Sequence, residues 1–286
     1  MHVPVMLEES LEYLAVRPDG IYLDATAGLG GHTGAIAARL TTGSVVALDR
    51  DSESLEQARR NTLAHAEKIR FAQAKFSELR PALTALGIGK VDGILADLGV
   101  SRYQLTEPER GFSLAAESPL DMRMSRQEPL TAEELVNTMS EKELADLIYQ
   151  LGEEGRSRPI SRAIVRARPL RDTLQLARVI EGAIPRTGRL HPATRTFMAL
   201  RRAVNRETEE LEALLETAPG LLAPGGRFVV ITFMSLEDRQ AKESFRRLSQ
   251  RGVLRLLTKH VVKPAEREVD ANPASRSAKL RAAELK

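Results

Sequence analysis

Short apolar runs that end in an acidic residue recur along the first hundred residues. "GIYLDAT" reads as a strand over residues 20–25 closing at Asp24, "SVVALDRD" as a second closing at Asp49, "KIRFAQA" as a weaker third, and "VDGILADLGV" as a fourth carrying Asp97. Between them the apolar spacing turns helical, in "HTGAIAARL", in "SESLEQARRNTLAHA" with Ser52 as the expected cap, and in "FSELRPALTAL". This alternation predicts a parallel sheet with helices on both faces. It then stops. From about residue 103 to 216 only helical periods and loops occur: "TAEELVNTMSEKELADLIYQL", "PISRAIVRA", "TLQLARVIEGAI" and one long "TRTFMALRRAVNRETEELEALLETA". A strand pattern returns at residues 225–233, "GGRFVVITF", followed by a helix, "SLEDRQAKESFRRLS", and a strand, "GVLRLLTKHVV". The closing "NPASRSAKLRAAELK" reads either as a basic tail or as a final strand. The expected organisation is an α/β domain in two pieces, residues 1–103 and 217–286, with a helical domain at 104–216 inserted between them.

The first strand–helix junction is "DATAGLGGHTG", residues 24–34. A dinucleotide fingerprint needs G-x-G-x-x-G here, the third glycine allowing close helix–strand packing and the helix N-terminus holding a pyrophosphate. Gly28 and Gly30 fit, but the third position is Thr33 and Gly34 comes one residue late. Asp24 stands four residues before Gly28, where a carboxylate repels a pyrophosphate and suits a ligand with ammonium or sulfonium charge, such as S-adenosylmethionine. Asp49 lies 19 residues after Gly30, where an acid accepts ribose hydroxyls, and Asp97 closes the fourth strand at the edge where open α/β sheets bind ligands. Each acid alone could be an ordinary helix cap. Three at successive strand ends around a glycine loop favour a methyl donor over a nicotinamide. His32, at the helix start, either touches that ligand or caps. Five scattered histidines without a His-x-x-Glu pairing predict no metal site.

Charge adds a partner. The net +3 conceals an asymmetry: residues 107–154 carry twelve acids and four bases, whereas residues 155–206 carry thirteen arginines, no lysine and two acids, Asp172 and Glu181. Residues 241–286 add twelve bases against five acids. Arginine forks match phosphate oxygens, so nucleic acid is the first expectation, with pairing to the neighbouring acidic block as the alternative. Arg158, Arg162 and Arg166 share one helix face by their spacing, and Arg195, Arg201, Arg202, Arg276, Lys279 and Arg281 are further phosphate candidates. The chain has no cysteine, which removes disulfides and thiolate metal sites. No stretch approaches a membrane span and "MHVPVMLEES" lacks a signal-peptide pattern, so a cytoplasmic protein is expected. Nothing in the pattern sets an oligomeric state.

Eight ordered segments then match a known family: "HVPVML", "ATAGLGGHT", "ADLGVSRYQL", "RGFS", "PLDMRM", "RTFMALRRAVN", "ITFMSLEDRQAK" and "NPASRSAKLR". Together they closely resemble the bacterial 16S ribosomal RNA cytosine-N4-methyltransferases of the MraW type, over nearly the whole chain. The resemblance implies a Rossmann-like S-adenosylmethionine-dependent methyltransferase sheet with an inserted all-helical domain. It implies methylation of the exocyclic amine of one cytidine in the decoding region of small-subunit rRNA, within the small ribosomal subunit or before its assembly. It places the donor against Gly30, Gly31 and His32, its ribose on Asp49, its adenine beside Phe76, and Asp97 and Gln104 around the rest. Three positions depart from the pattern: Arg102 where a small residue is expected, Thr106 where an Asp is, and Met234 where relatives carry His.

The chemistry asks little covalent work of the protein. The cytosine amine is a poor nucleophile, so the site must align nitrogen, methyl carbon and sulfur and exclude water. An acceptor for the amine proton helps, and Asp97 with the Leu98 carbonyl is the candidate by analogy with amino-methyltransferases. Tyr103, Phe112 and Phe197 are candidate stacking platforms, each read more readily as core than as platform. Two other readings stay open: a nicotinamide oxidoreductase, and an RNA-binding assembly factor without turnover.

Overall fold

The structure is a computed structural model that describes residues 4–114, 117–186, 188 and 190–286. His2 and Val3 of the first motif lie outside the described residues. The chain forms two units, one from residues 1–99 and 208–286, the other from residues 100–207.

The first unit opens with α1 (Leu7–Leu14) and then alternates: β1 (Ile21–Asp24), α2 (Gly31–Ala37), β2 (Ser44–Asp49), α3 (Ser52–Asn61), β3 (Ile69–Gln73), α4 (Leu79–Ala85) and β4 (Val91–Asp97). α3 differs from its sequence reading at both ends. Its cap is Asp51, whose carboxylate accepts from the Glu53 amide at 3.1 Å, and the helix gives way after Asn61 to a 3-10 stretch over Leu63–Lys68. An acid in the cap position accepts the amide and also meets the positive end of the helix, which explains its preference over the serine beside it.

The second unit contains α5 (Arg102–Thr106), α6 (Ala132–Thr138), α7 (Glu141–Gly152), α8 (Ser157–Ala167), α9 (Thr173–Ala183) and α10 (Thr194–Val204). Leu135, Leu144, Ile148, Ile160, Ile164, Leu176, Ile180, Phe197 and Leu200 form its core, one stripe from each main helix. The period at 131–151 is two helices because Ser140 and Glu143 form a capping box that starts a new one. The long period at 194–218 also breaks. α10 ends at Val204, Arg206 takes a left-handed φ of 50°, and α11 (Glu207–Thr217) begins anew. Asn205 supplies the cause. Its amide oxygen accepts from the Met124 N–H at 2.7 Å, and its amide nitrogen donates to the carbonyls of Met122 and Arg201 at 2.7 and 2.8 Å. The buried Arg110 guanidinium donates to the carbonyls of Arg123 and Met124, each at 2.9 Å. The motifs around Arg110, Met122 and Asn205 thus form one polar network that fixes a loop without regular structure.

The first unit resumes with α11, whose Leu211, Leu214 and Leu215 join the sheet core, followed by β5 (Leu222–Thr232), α12 (Ser235–Gln250), β6 (Leu254–Leu256), α13 (Glu266–Ala271) and β7 (Lys279–Leu285). The closing residues are therefore a strand. β6 is far shorter than its apolar run, because the Thr258 hydroxyl accepts the Ala282 N–H at 3.1 Å and interrupts the backbone ladder. The sheet order is β3-β2-β1-β4-β5-β7-β6, with β7 antiparallel to both neighbours and the rest parallel. Alternate residues feed two cores. Leu23, Val46, Ile94, Phe228 and Val230 face one side, whereas Tyr22, Val45, Leu95, Val229 and Ile231 face the other. Asp24 pairs in register with Ala47 and Leu95, so Asp49 and Asp97 project two residues beyond it at the same sheet edge. The strand order reverses between β1 and β4, and the crevice outside their carboxyl ends is where such sheets take ligands.

Candidate donor site at the strand ends

The loop after β1 turns on glycine. Gly28 and Gly30 have φ of 50° and 84°, and a Cβ on Gly30 would sit 2.9 Å from Thr62 Cγ2 and 3.2 Å from the Ala58 backbone. A Cβ on Gly34 would meet the same Thr62 methyl at 3.3 Å, so the late glycine leaves room for the chain that follows α3. The threonine in the third fingerprint position is buried, and its hydroxyl donates to Asp24 Oδ2 at 2.6 Å.

That contact corrects the reading of Asp24. It is fully buried, with one carboxylate oxygen on Thr33 and the other accepting the Thr26 N–H at 3.1 Å. It ties β1 to α2 and presents no surface to a ligand. Burial pushes its pKa up to about 6, against the opposing hydrogen bonds from Thr33 and Thr26.

Asp49 and Asp97 remain at the edge. Asp49 accepts from the Gly28 N–H at 2.8 Å and the Asp51 N–H at 2.9 Å, one bond per oxygen. Each oxygen keeps a lone pair for a ligand hydroxyl. Burial, then the charges of Asp51 and Asp24, raise it to about 6. The Asp97 N–H donates to the Thr26 hydroxyl at 2.7 Å, while its Oδ1 is buried and accepts no hydrogen bond from the described residues. Burial raises Asp97 well above the usual carboxylate range, and the charges of Asp24, Glu237 and Glu268 add to it. An unmet acceptor among carboxylates that disfavour one another's charge fits a cationic ligand with hydroxyls. The zwitterionic sulfonium and ribose of S-adenosylmethionine supply both.

Two further elements enclose this edge. Pro4 covers Gly31, where a Cβ would lie 2.5 Å from Pro4 Cγ. Val5 offers its carbonyl to His32 Nε2 at 3.1 Å, and Glu268 of α13 accepts the Met6 N–H at 2.7 Å. The other ring nitrogen of His32 lies 3.9 Å from Asp97 Oδ2. Glu237 accepts the N–H groups of Phe233 and Met234 at 3.1 and 3.2 Å, so the departure at 234 is a mostly buried residue at the N-cap of α12. Sequence reading missed Thr26, Thr33, Glu237 and Glu268. Glutamate at the third helix position after Met234 was the one available signal.

Phe76 opens the 3-10 turn Phe76–Glu78 after β3 and is half-buried against the core. Gln104 belongs to the other unit, where it is buried and its side chain accepts the Ser101 N–H at 3.0 Å. Phe112 and Phe197 are core residues of that unit and Tyr103 is half-buried, so neither phenylalanine is a free platform.

The basic candidates divide sharply. Arg158, Arg162 and Arg166 are exposed along one face of α8. Arg162 reaches Glu141 at 3.4 Å between exposed side chains, and Arg195 donates to the Glu153 carbonyl at 3.1 Å. Arg276 is exposed and Lys279 half-buried. Three others do not serve as surface cations. Arg201 is held by both oxygens of Glu207 at 2.7 and 2.8 Å, Arg202 is buried and donates to the Leu151 carbonyl at 3.0 Å, and Arg281 is clamped by Asp238 at 2.7 and 3.1 Å. Their charge is spent on the fold.

The profile of the MraW methylase family matches residues 1–286. A ribosomal RNA small subunit methyltransferase H from Solibacter usitatus is 62% identical over 286 residues, covering all of both chains. The protein of the same name from Acidobacterium capsulatum is 52% identical, with 100% of this chain and 98% of that one covered. Among solved structures, an rRNA methylase from Streptococcus thermophilus superposes with a TM-score of 0.48 at 12% identity, covering 100% and 99%.

Proposed function

Because this chain belongs to the MraW methylase family, we propose that it methylates the N4 amine of one cytidine in the decoding region of 16S rRNA, with S-adenosylmethionine as donor. Methylation of small-subunit rRNA follows the names of its relatives, and the family sets the nicotinamide reading aside. The single observation that supports amine chemistry is Asp97, whose buried Oδ1 lacks a hydrogen-bond donor at the sheet's switch point.

The donor supplies an electrophilic methyl group when bound. Gly30 and Gly31 give it a backbone cradle, Asp49 takes the ribose hydroxyls, and Phe76 flanks the adenine. His32 completes the set of proposed contacts within the first unit. Asp97 accepts a hydrogen bond from the cytidine amine. That bond localises the nitrogen lone pair otherwise spread into the ring, and it receives the proton released on methylation. The base must leave its stack to reach a sheet-edge site. Phosphates are gripped by the exposed arginines of α8, Arg158, Arg162 and Arg166, with Arg195, Arg276 and Lys279 as further contacts. The small ribosomal subunit is the partner and the cytoplasm the location on this reading.

The test uses small subunits from cells lacking the modification and donor labelled at its methyl group. Label is expected in N4-methylated cytidine after nucleoside digestion. D97N should abolish incorporation while retaining the circular dichroism of the unsubstituted protein. Label on another base or atom would overturn the substrate, and full activity in D97N would overturn the role of Asp97.

A further inference from the structure

We infer that His32 is the proton-holding partner of Asp97, kept ready by the N-terminal segment that crosses the glycine loop. The inference rests on Asp97 facing the amine, as proposed above. A backbone carbonyl can only accept, so the contact between His32 Nε2 and the Val5 oxygen at 3.1 Å places the ring hydrogen on Nε2. Neutral imidazole then carries its lone pair on Nδ1, the nitrogen 3.9 Å from Asp97 Oδ2. The carboxylate thus has two sides. Oδ1 is buried and unpartnered, and Oδ2 faces an acceptor rather than a second donor. A small rotation of ring or carboxyl closes the remaining gap, as often happens on substrate binding.

The Val5 carbonyl is itself held. Glu268 of α13 accepts the next N–H, that of Met6, at 2.7 Å, and Met6 sits in the left-handed region at φ 51°. The ring is walled in as well, since His32 is buried and Pro4 leaves no room for a side chain at Gly31. Among the described residues, the charged groups that act on Asp97 are Asp24 from β1, Glu237 from α12 and Glu268 from α13, all acidic, and His32 from α2 is a base beside it. A proton arriving at Asp97 therefore has, in His32, a described neighbour able to take it.

The balanced step is as follows. The N4 lone pair forms the N–C bond, the C–S electrons remain on sulfur as a neutral thioether, and the nitrogen, now cationic, gives a proton to the Asp97 carboxylate. Asp97 passes a proton to His32 Nδ1, and the imidazolium later releases it to water. The positive charge lost from sulfur reappears on a ring surrounded by acids. His32 acts through Asp97, so it is a positioning residue rather than a catalytic one.

Two measurements test this. Nitrogen-15 spectra of the full-length protein without donor, with His32 assigned through the backbone, should show the Nε2–H tautomer, and D97N should shift its titration. An Nδ1–H tautomer would overturn the proposal with no variant needed. In single-turnover methylation of small subunits, H32Q keeps a donor to the Val5 carbonyl but cannot take a proton. It should lose about tenfold or more in rate at neutral pH. It should also lose the rise of rate with pH through the imidazole range, both read at saturating donor because His32 is itself a proposed donor contact. H32N serves if H32Q does not fold. A wild-type rate and profile, or a rate restored in full by saturating donor, would overturn the relay. If D97N is inactive and H32Q normal, only the relay fails. If D97N is active, the underlying reading fails.

Discussion

Asp24→Asn offers a sharp test of how the sheet edge is built. Asp24 is fully buried, and its pKa rises from 3.8 to about 6 because burial outweighs the hydrogen bonds from Thr33 and Thr26. Asparagine in its place mimics the protonated acid, and the Thr33 hydroxyl can reverse its role to accept from the new amide. The sign follows from proton binding: the fold binds a proton more tightly than the unfolded chain does. This carboxyl's contribution is therefore most favourable below 3.8 and is lost as pH rises through about 6. About two pKa units at 1.36 kcal/mol each make the charged carboxylate cost up to about 3 kcal/mol at pH 7.5. The asparagine variant should exceed the unsubstituted protein in stability by up to that amount at pH 7.5, a shift of up to roughly 1–3 M in urea midpoint. Near pH 4 the advantage should shrink towards zero. Urea unfolding followed by far-UV circular dichroism at pH 4, 5, 6 and 7.5 measures the difference. A variant weaker than the unsubstituted protein by the same amount at every pH would refute the reasoning. It would show that the carboxylate charge is satisfied where it lies.

Gly30→Ala should weaken donor binding by about tenfold or more in calorimetry, because φ of 84° is strained for alanine by about 1–3 kcal/mol and its Cβ meets Thr62 and Ala58. Asn205→Ala strands the Met124 N–H and the Met122 carbonyl and should lower thermal stability by about 2–4 kcal/mol, with no gain from raising pH. Replacing Arg158, Arg162 and Arg166 together by alanine should flatten the salt dependence of small-subunit binding by about two to three units in log K against log salt. Arg202→Ala, by contrast, should destabilise the fold, since that side chain is buried on the Leu151 carbonyl.

Several elements were legible because their signals are local. The apolar runs closing at Asp24, Asp49 and Asp97 are strands β1, β2 and β4, and alternation of their residues between two faces follows from the pleat. The glycine loop was legible at Gly28 and Gly30, whose positive φ angles need residues without a side chain. The helical run at 194–218 misled, because period alone does not register an asparagine whose side chain binds a loop some eighty positions earlier. Asp24 misled for a related reason. Its place before the loop is a sequence fact, but its burial against Thr33 is decided by the approach of α2 to β1.

The sequence by itself determined the first four strands, the three strand-end acids and the family, because spacing, turn chemistry and motif order are properties of neighbours along the chain. Tertiary structure decided what each charge does. It buried Asp24 and left Asp97 with an unmet oxygen. It locked Arg201, Arg202 and Arg281 onto a carboxylate, a carbonyl and another carboxylate while leaving Arg158 and Arg166 exposed, and it laid the N-terminal segment across Gly31 within reach of His32. The division has one physical cause. Hydrophobic period is written into adjacent residues, whereas the energy of a charge depends on which distant groups the fold brings within a few ångströms of it.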